Sequence, residues 1–223
     1  MPGCIGDRIA YEIDVDSITR GNQTNKYFLL SGDNTVKISD LQFQEYASYI
    51  NRALLKRGFT QAESIDSAEV AIFLAYGIGN PQERQYSYSS PTFGQTGVSS
   101  SYTTGSATTY GGVTNYSGTT SYTPTYGITG NTNHTRTYVT YYRYIILEAI
   151  NAAEYRTSNK LNQEWKTTIT STGSSSDLRK IFPIMVAASV TYIGINTAGK
   201  VTDELNGNED IIHEIMGVSV KDK

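Results

Sequence analysis

The histidines and the paired acids are the first candidates for chemistry, because hydrolytic and metal sites depend on such side chains. The only two histidines, His134 and His213, each lack a neighbouring acid and nucleophile in any motif. Asp14 and Asp16 alternate along a predicted strand and have no third ligand at metal-binding spacing. We therefore expect no catalytic residues, no metal site and no cofactor, which favours a protein that is not an enzyme.

Two short stretches could bind an anion, but each has a simpler structural role. Gly77 and Gly79 follow a predicted strand without the third glycine, the Lys-Ser/Thr pair or the helix of a phosphate loop. Three serines at 174–176 precede a predicted helix, where Ser174 and Asp177 have the spacing of a helix cap. Neither stretch predicts a ligand.

The single cysteine, Cys4, lies close to the first residue of the sequence, in Met-Pro-Gly-Cys. One cysteine excludes an internal disulfide within the chain. A small residue directly before an early cysteine is typical of the bacterial lipobox, in which the cysteine becomes lipidated. The apolar stretch of a signal peptide is missing from the sequence. Cys4 is therefore expected to be a lipid anchor to a membrane, with an incidental free cysteine as the alternative.

The overall charge argues against a nucleic-acid partner. The net charge is -3, whereas nucleic-acid binders usually have a basic face. Charged residues make up only 17% of the chain, below the ~25% of ordinary soluble domains. Tyrosine, by contrast, occurs 18 times. This composition favours contacts through neutral aromatic surface.

A helix and a buried strand form the centre of the predicted fold. Residues 40–57 place apolar side chains at helical spacing, with Ser39 as the expected cap, and residues 70–76 are apolar throughout. Four further segments read as strands, at 9–18, 26–31, 138–149 and 161–171. The strands on either side of the first helix, 26–31 and 70–76, are expected to pair in parallel, and 161–171 is expected to be the antiparallel partner of 138–149. A second helix after 176 contains Pro183, which is expected to kink it. The prediction is an α/β, two-layer α+β domain with a mixed sheet of about five strands and two main helices on one face.

A segment without charge interrupts this pattern. Residues 85–135 contain no Asp, Glu, Lys or Arg and are rich in Tyr, Ser, Thr and Gly. Within it, Pro-Thr-Phe-Gly-Gln-Thr-Gly at 91–97 matches Pro-Thr-Tyr-Gly-Ile-Thr-Gly at 124–130. We interpret the segment as a hairpin arm between two core strands. Two alternatives stay open, since the arm is either disordered over 98–123 or ordered against another copy or an envelope surface.

The same stretches resemble a known family. Residues 27–32, 40–47, 68–79 and the strand ending at 168 resemble the uncharacterised domain, of unknown function, found in Gram-negative envelope lipoproteins. The resemblance covers roughly residues 9–197 and implies a periplasmic protein anchored to the outer membrane, with extracellular assembly as a further option. It supplies no catalytic residue. The layout is also similar to accessory lipoproteins of cell-wall synthases and to subunits of secretion channels, which is a likeness of fold alone.

These observations predict the following organisation. Residues 1–8 form an anchor or linker, 9–84 and 138–217 form one α/β domain, and 85–137 form the low-complexity arm. The expected function is a non-enzymatic cell-envelope lipoprotein that binds a protein partner or other copies of itself. The alternatives are a ring or filament subunit that assembles through the arm, and a periplasmic glycan or small-ligand binding module. The expected interaction residues are aromatic: Tyr86, Tyr88, Phe93, Tyr126 and Tyr138.

Overall fold

The chain folds into eight strands and four helices, seen in a computed structural model that describes residues 10–21, 24–207 and 209–218. The strands are β1 Ala10–Thr19, β2 Lys26–Ser31, β3 Thr60–Gln61, β4 Val70–Ile78, β5 Gln82–Tyr110, β6 Val113–Asn151, β7 Gln163–Gly173 and β8 Val201–Asn206. The helices are α1 Leu41–Lys56, α2 Ala152–Ser158, α3 Leu178–Ser189 and α4 Asp210–Met216. Cys4, the predicted lipid anchor, lies outside the described residues.

The strands form one mixed sheet in the order β3-β2-β4-β6-β7-β1-β8, with β5 paired to β6. β2 runs parallel to β4, with Tyr27 opposite Val70 and Ser31 opposite Leu74. This pairing confirms the parallel strands predicted on either side of α1. β6 pairs antiparallel with both β4 and β7, so the predicted partnership of the 138–149 and 161–171 strands is also confirmed.

One face of the central strands supplies the hydrophobic core. Burial alternates along them, as expected for strands that expose their other face. The buried members of β1, β6 and β7 include Ile13, Val15, Ile145, Leu147, Trp165 and Ile169. Helices α1, α3 and α4 pack against one another, and α3 also contacts β1, β7 and β8.

An aromatic stack joins the two long helices to the sheet. The Phe182 ring of α3 lies parallel to the Tyr46 ring of α1, with centroids 4.0 Å apart and an interplanar angle of 4°. Tyr76 of β4 meets both rings edge-on, at 4.8 Å from Tyr46 and 5.8 Å from Phe182. Both geometries are favoured by the charge distribution of aromatic rings. This stack fixes α1 and α3 on the same part of the core face.

The predicted fold class is wrong. The protein is not a two-layer α/β domain with about five strands and two main helices, because strands make up 54% of the chain and form an eight-stranded mixed sheet with four small helices. The five predicted strands correspond to β1, β2, β4, β6 and β7. The missing strands are β3, which has two residues, β5, which lies in the low-complexity segment, and β8. In β8 only Leu205 is buried, so the strand lacks the apolar alternation that identifies strands.

Helix boundaries and the proline also differ from the predictions. The Asp40 carboxylate caps α1 by accepting from the Phe43 N–H at 2.9 Å, in place of the predicted Ser39. Asp177, rather than Ser174, caps α3 by accepting from the Lys180 N–H at 3.2 Å. α3 continues through Pro183, which is buried inside the helix. All residues from 181 to 189 are buried, and this burial offsets the loss of the single backbone hydrogen bond that the proline removes.

A buried arginine lies on the core face of β6. Arg143 is 2% exposed, and its Nε has no hydrogen-bond partner in the described chain. None of the three ion pairs found among the described residues includes it. Burial lowers the pKa of the guanidinium. A Cβ added at Gly173 would lie 2.5 Å from Arg143 Nη2, so a larger residue there would displace the guanidinium.

Backbone contacts divide the chain into two compact units. One comprises the described residues up to Gln82 together with those from Val139 onward, and the other is Glu83–Tyr138. We call the second unit the hairpin, and the first the core unit. The hairpin is built from the parts of β5 and β6 that lie within Glu83–Tyr138.

Candidate functional site

The hairpin is two long strands joined by a tight turn. Gly111 and Gly112, between β5 and β6, have φ values of 60° and 80°. Positive φ at both central residues is the requirement of a type I′ turn, whose twist matches that of the flanking strands. A side chain at either position would be strained. The Gly-Gly pair therefore specifies where the chain reverses.

Neutral cross-strand pairs hold the two strands together. The hydroxyls of Thr103 and Thr120 are 2.8 Å apart, and those of Thr109 and Thr114 are 2.9 Å apart. Such pairs, together with the strand preference of Tyr and Thr, stabilise the strand conformation. The strands consequently continue through 98–123, where the entropy argument allowed for disorder.

No residue of the hairpin is buried. Every position from 83 to 138 is exposed or half-buried, and the segment 85–135 has no charged side chain. The most exposed aromatic side chains are Phe93 (74%), Tyr102 (70%), Tyr110 (90%), Tyr116 (83%) and Tyr126 (72%). Isolated two-stranded hairpins are at best marginally stable in water. A long aromatic hairpin that has no charge from 85 to 135 and no buried residue has the properties of an unoccupied interaction surface.

The structure brings three of the five predicted interaction residues together. The Tyr86 ring centroid lies 6.0 Å from both Tyr88 and Tyr138. The Tyr88 ring stacks on His134 at 5.0 Å, so this histidine belongs to an aromatic cluster. Phe93 and Tyr126 are exposed elsewhere on the hairpin and make no aromatic contact within its described residues.

Sequence reasoning missed four exposed tyrosines: Tyr102, Tyr110, Tyr116 and Tyr122. All of them lie in the segment where disorder was one of the two alternatives. The sequence contained an indication of them, because tyrosines an even number of residues apart in one strand lie on the same face. Even spacing within each strand, of Tyr102 with Tyr110 in β5 and of Tyr116 with Tyr122 in β6, would therefore have identified them.

The core unit has a separate apolar cleft of about 410 Å³. Its floor is the sheet face opposite the core, formed by Leu30, Ala71, Phe73 and Ile150. The wall combines α2 with the short 3-10 helix that holds Ile65 and Asp66 and with the loop that holds Leu161. The Arg156 guanidinium fixes this wall by donating to the Ile65 carbonyl at 3.0 Å and the Ala68 carbonyl at 2.7 Å. An apolar concavity of this size is within the range of small-molecule sites.

The perturbed titratable groups belong to structural contacts of the core unit. Hydrogen bonds from the Lys200 ammonium at 2.8 Å and the Thr202 hydroxyl at 2.6 Å lower the pKa of Asp14. Burial raises the pKa of Tyr27 to about 12, and its hydroxyl donates to Asn51 Oδ1 at 2.9 Å. Both shifts are explained by an ion pair or by core packing, so they do not indicate an acid–base site.

The described residues contain neither a metal-ligand cluster nor a membrane-spanning helix. No group of three or more His, Cys, Asp or Glu side chains among them is arranged to hold a metal ion. Within the same part of the chain, no helix is both long and apolar enough to cross a membrane.

Comparisons with known proteins give one distant structural similarity. No protein-family profile matches the chain, and no curated protein matches it. The crystal structure of a PDZ domain protein from Parabacteroides distasonis ATCC 8503 aligns with 8% sequence identity and a TM-score of 0.39. The alignment covers 88% of this chain and 39% of that chain. A likeness of this degree establishes neither a shared fold nor a shared function.

Proposed function

We propose that this protein is a non-enzymatic assembly module whose hairpin joins it to other copies of the same chain. The observation that carries the proposal is the hairpin itself, with no buried residue and no charge between 85 and 135. The function of such a surface is to be covered by a partner.

The energetics favour burial of the hairpin. Ordering each of its residues costs about 1–2 kcal/mol of backbone entropy, and the free hairpin buries no side chain to offset that cost. Each aromatic side chain that a partner covers removes up to about 150–250 Å² from water. Nine hairpin aromatics are at least 39% exposed: Tyr86, Tyr88, Phe93, Tyr102, Tyr110, Tyr116, Tyr122, Tyr126 and Tyr138.

A second copy is the partner that fits this surface best. Natural proteins protect exposed strand edges with charged residues, short strands or a covering element. Here β5 has 29 residues and β6 has 39, and the paired region carries no charge over 85–135. A charged partner would find no opposite charge to recognise. Another neutral hairpin can extend the sheet by backbone hydrogen bonds without repulsion.

Lysine on the hairpin edge tests the proposal. Tyr122→Lys introduces a charge that an intermolecular sheet would have to desolvate, so we expect the association of copies to weaken at least about tenfold. Leu41→Lys is the matched control, since Leu41 is 82% exposed on α1 of the core unit. Analytical ultracentrifugation over a concentration series gives the association constant of each variant. Equal association of Tyr122→Lys and the wild type would reject the hairpin as the interface.

We further propose that the module acts in a Gram-negative envelope as a lipoprotein anchored through Cys4. Support comes from the Gly-Cys dipeptide and from the family resemblance described above. Intact mass spectrometry of protein from a membrane fraction, expressed behind a lipoprotein signal, tests this assignment. A diacyl or triacyl adduct that disappears in Cys4→Ser supports the anchor, and an unmodified Cys4 in membrane-derived protein rejects it.

The apolar cleft favours a second candidate function, the binding of a small ligand. The 410 Å³ volume lies near the lower end of the ~300–1,000 Å³ range of small-molecule sites, which favours a compact ligand. Asp66 and Arg156 place opposite charges in the lining, which favours a ligand without net charge.

An uncharged fluorescent probe tests the cleft. N-phenyl-1-naphthylamine is expected to bind the wild type at one site, and Ala71→Phe is expected to reduce that binding at least tenfold by filling the floor. Thr168→Phe is the control, because residue 168 lies on the same sheet face in β7, outside the cleft lining. Equal probe fluorescence in the two variants would contradict a ligand site at this position.

A further inference from the structure

We infer that the copies join head to tail, with the outer edge of β6 in one copy paired to the outer edge of β5 in the next. The inference rests on the proposed function and specifies which surface of the hairpin meets which surface of its neighbour. It distinguishes an open-ended or ring-forming contact from a symmetric dimer.

The turn determines which residues point their backbone N–H and C=O groups away from the partner strand. A two-residue turn makes Tyr110 and Val113 a hydrogen-bonded pair, so the next pair, Thr109 and Thr114, is non-hydrogen-bonded. The short Thr109–Thr114 and Thr103–Thr120 hydroxyl contacts agree, because side chains lie closer in non-hydrogen-bonded pairs. In these pairs the backbone N–H and C=O groups point away from the partner strand. Odd residues of β5 and even residues of β6 therefore present their backbone groups to the outer edges near the turn.

Two further observations extend this register along the hairpin. A Cβ added at Gly105 would lie 3.4 Å from the Gly118 Cα, and one added at Gly94 would lie 3.1 Å from the Thr129 side chain. Both contacts preserve the pairing set by the turn. Pro124, at an even position of β6, then has its missing N–H on the outer edge, which is where a strand tolerates proline.

We call the residues of one strand whose backbone groups face the outer edge its outward row. The side chains of the two outward rows differ in size. Between the turn and the Gly97–Tyr126 pair, the β6 row carries Tyr116, Tyr122 and Tyr126, which are 66–83% exposed, besides Thr114, Gly118, Thr120 and Pro124. The β5 row between the turn and residue 97 carries small side chains: Gly97, Ser99, Ser101, Thr103, Gly105, Ala107 and Thr109. Farther from the turn the difference ends, since Phe93 of the β5 row is 74% exposed. Opposite members of these rows lie on one face of the hairpin, because paired residues point to the same side of a sheet.

This asymmetry favours head-to-tail pairing. When β6 of one copy meets β5 of the next, the large row lies beside the small row and the tyrosine rings can cover it. A β6–β6 dimer would place two large rows together, and a β5–β5 dimer would join two rows that offer little apolar area. Either symmetric dimer also leaves one long neutral edge of each copy unpaired. A head-to-tail interface repeats and produces a ring or a filament.

Proline substitution at outward positions tests the inference, since it removes an intermolecular donor without touching the hairpin's own ladder. The β5-blocked variant is Ser99→Pro with Ala107→Pro, and the β6-blocked variant is Tyr116→Pro with Tyr122→Pro. We expect each variant alone to be monomeric, and an equimolar mixture to give a dimer of twice the monomer mass. Multi-angle light scattering after size exclusion measures both.

The outcomes separate the inference from the function on which it rests. If one blocked variant assembles alone as the wild type does, the interface is symmetric and the inference is overturned. If the wild type itself is monomeric, the proposed function fails. Circular dichroism monitors the hairpin in every variant, and Ser100→Pro, at an inward position, is the control expected to lose strand signal. If the outward prolines also lose it, Ser99→Lys with Ala107→Lys replaces the β5 block, with the same predicted masses.

Discussion

Replacing residues 85–135 by an Asn-Gly turn is expected to convert the assembled protein into a monomer that remains folded. The replaced segment contains no buried residue, so its removal takes no side chain out of the core. The Asn-Gly pair supplies the positive φ values that a two-residue hairpin turn requires. Light scattering should give a monomer mass, and the melting temperature of the core unit should change little.

A variant that keeps the hairpin is the control for this deletion. Replacing only the Gly111-Gly112 turn by Asn-Gly keeps both strands and should leave the assembly intact. Persistence of the full-size oligomer after removal of 85–135 would show that the core unit forms the interface. Unfolding of the shortened chain would show that the hairpin stabilises the core unit, which contradicts the exposure of its side chains.

Phe182→Ala is expected to reduce the free energy of unfolding by about 3–5 kcal/mol. Phe182 is fully buried, and its ring contacts Tyr46 at 4.0 Å, Tyr76 at 5.8 Å and Tyr49 at 6.2 Å. Truncation therefore leaves a cavity and removes three ring contacts. A loss of this size is a large part of the ~5–15 kcal/mol that stabilises a typical domain. Urea unfolding of the chain without residues 85–135 measures the effect in a monomer.

Leu41→Ala is the control for that experiment. Leu41 is 82% exposed at the first position of α1, and substitution there should change the stability by less than about 0.5 kcal/mol. A loss below about 1 kcal/mol for Phe182→Ala would mean that the aromatic stack does not hold α1 and α3 on the sheet as described.

Local patterns predicted those elements whose apolar residues are periodic. α1 and β2 each bury a regular set of side chains, and β4 was recognised by its continuous apolar run. The parallel pairing of β2 with β4 follows from the helix between them. β8 escaped prediction because only Leu205 is buried, and β5 because none of its residues is. A strand stabilised by pairing rather than by a buried face has no apolar signal in the sequence.

The candidate sites, too, were predictable only where local sequence carries the pattern. The neutral, tyrosine-rich composition of 85–135 is visible in the sequence, and it pointed to the hairpin as a possible interaction segment. The outward rows required the Gly-Gly turn, because a shift of one residue exchanges the two faces. The cleft combines β2, β4 and β6 with α2 and two loops, so no local spacing could reveal it. Buried Arg143 was missed because its neighbours in sequence are tyrosines typical of a strand.

The solution mass of the full chain, measured by light scattering over a range of protein concentrations, tests assembly through the hairpin most directly. We predict a multimer of the 24.5 kDa chain. The multimer should persist from about 0.1 M to about 1 M salt, because an interface without charges is not weakened by screening. A mass of 24.5 kDa at every concentration would contradict the proposed assembly.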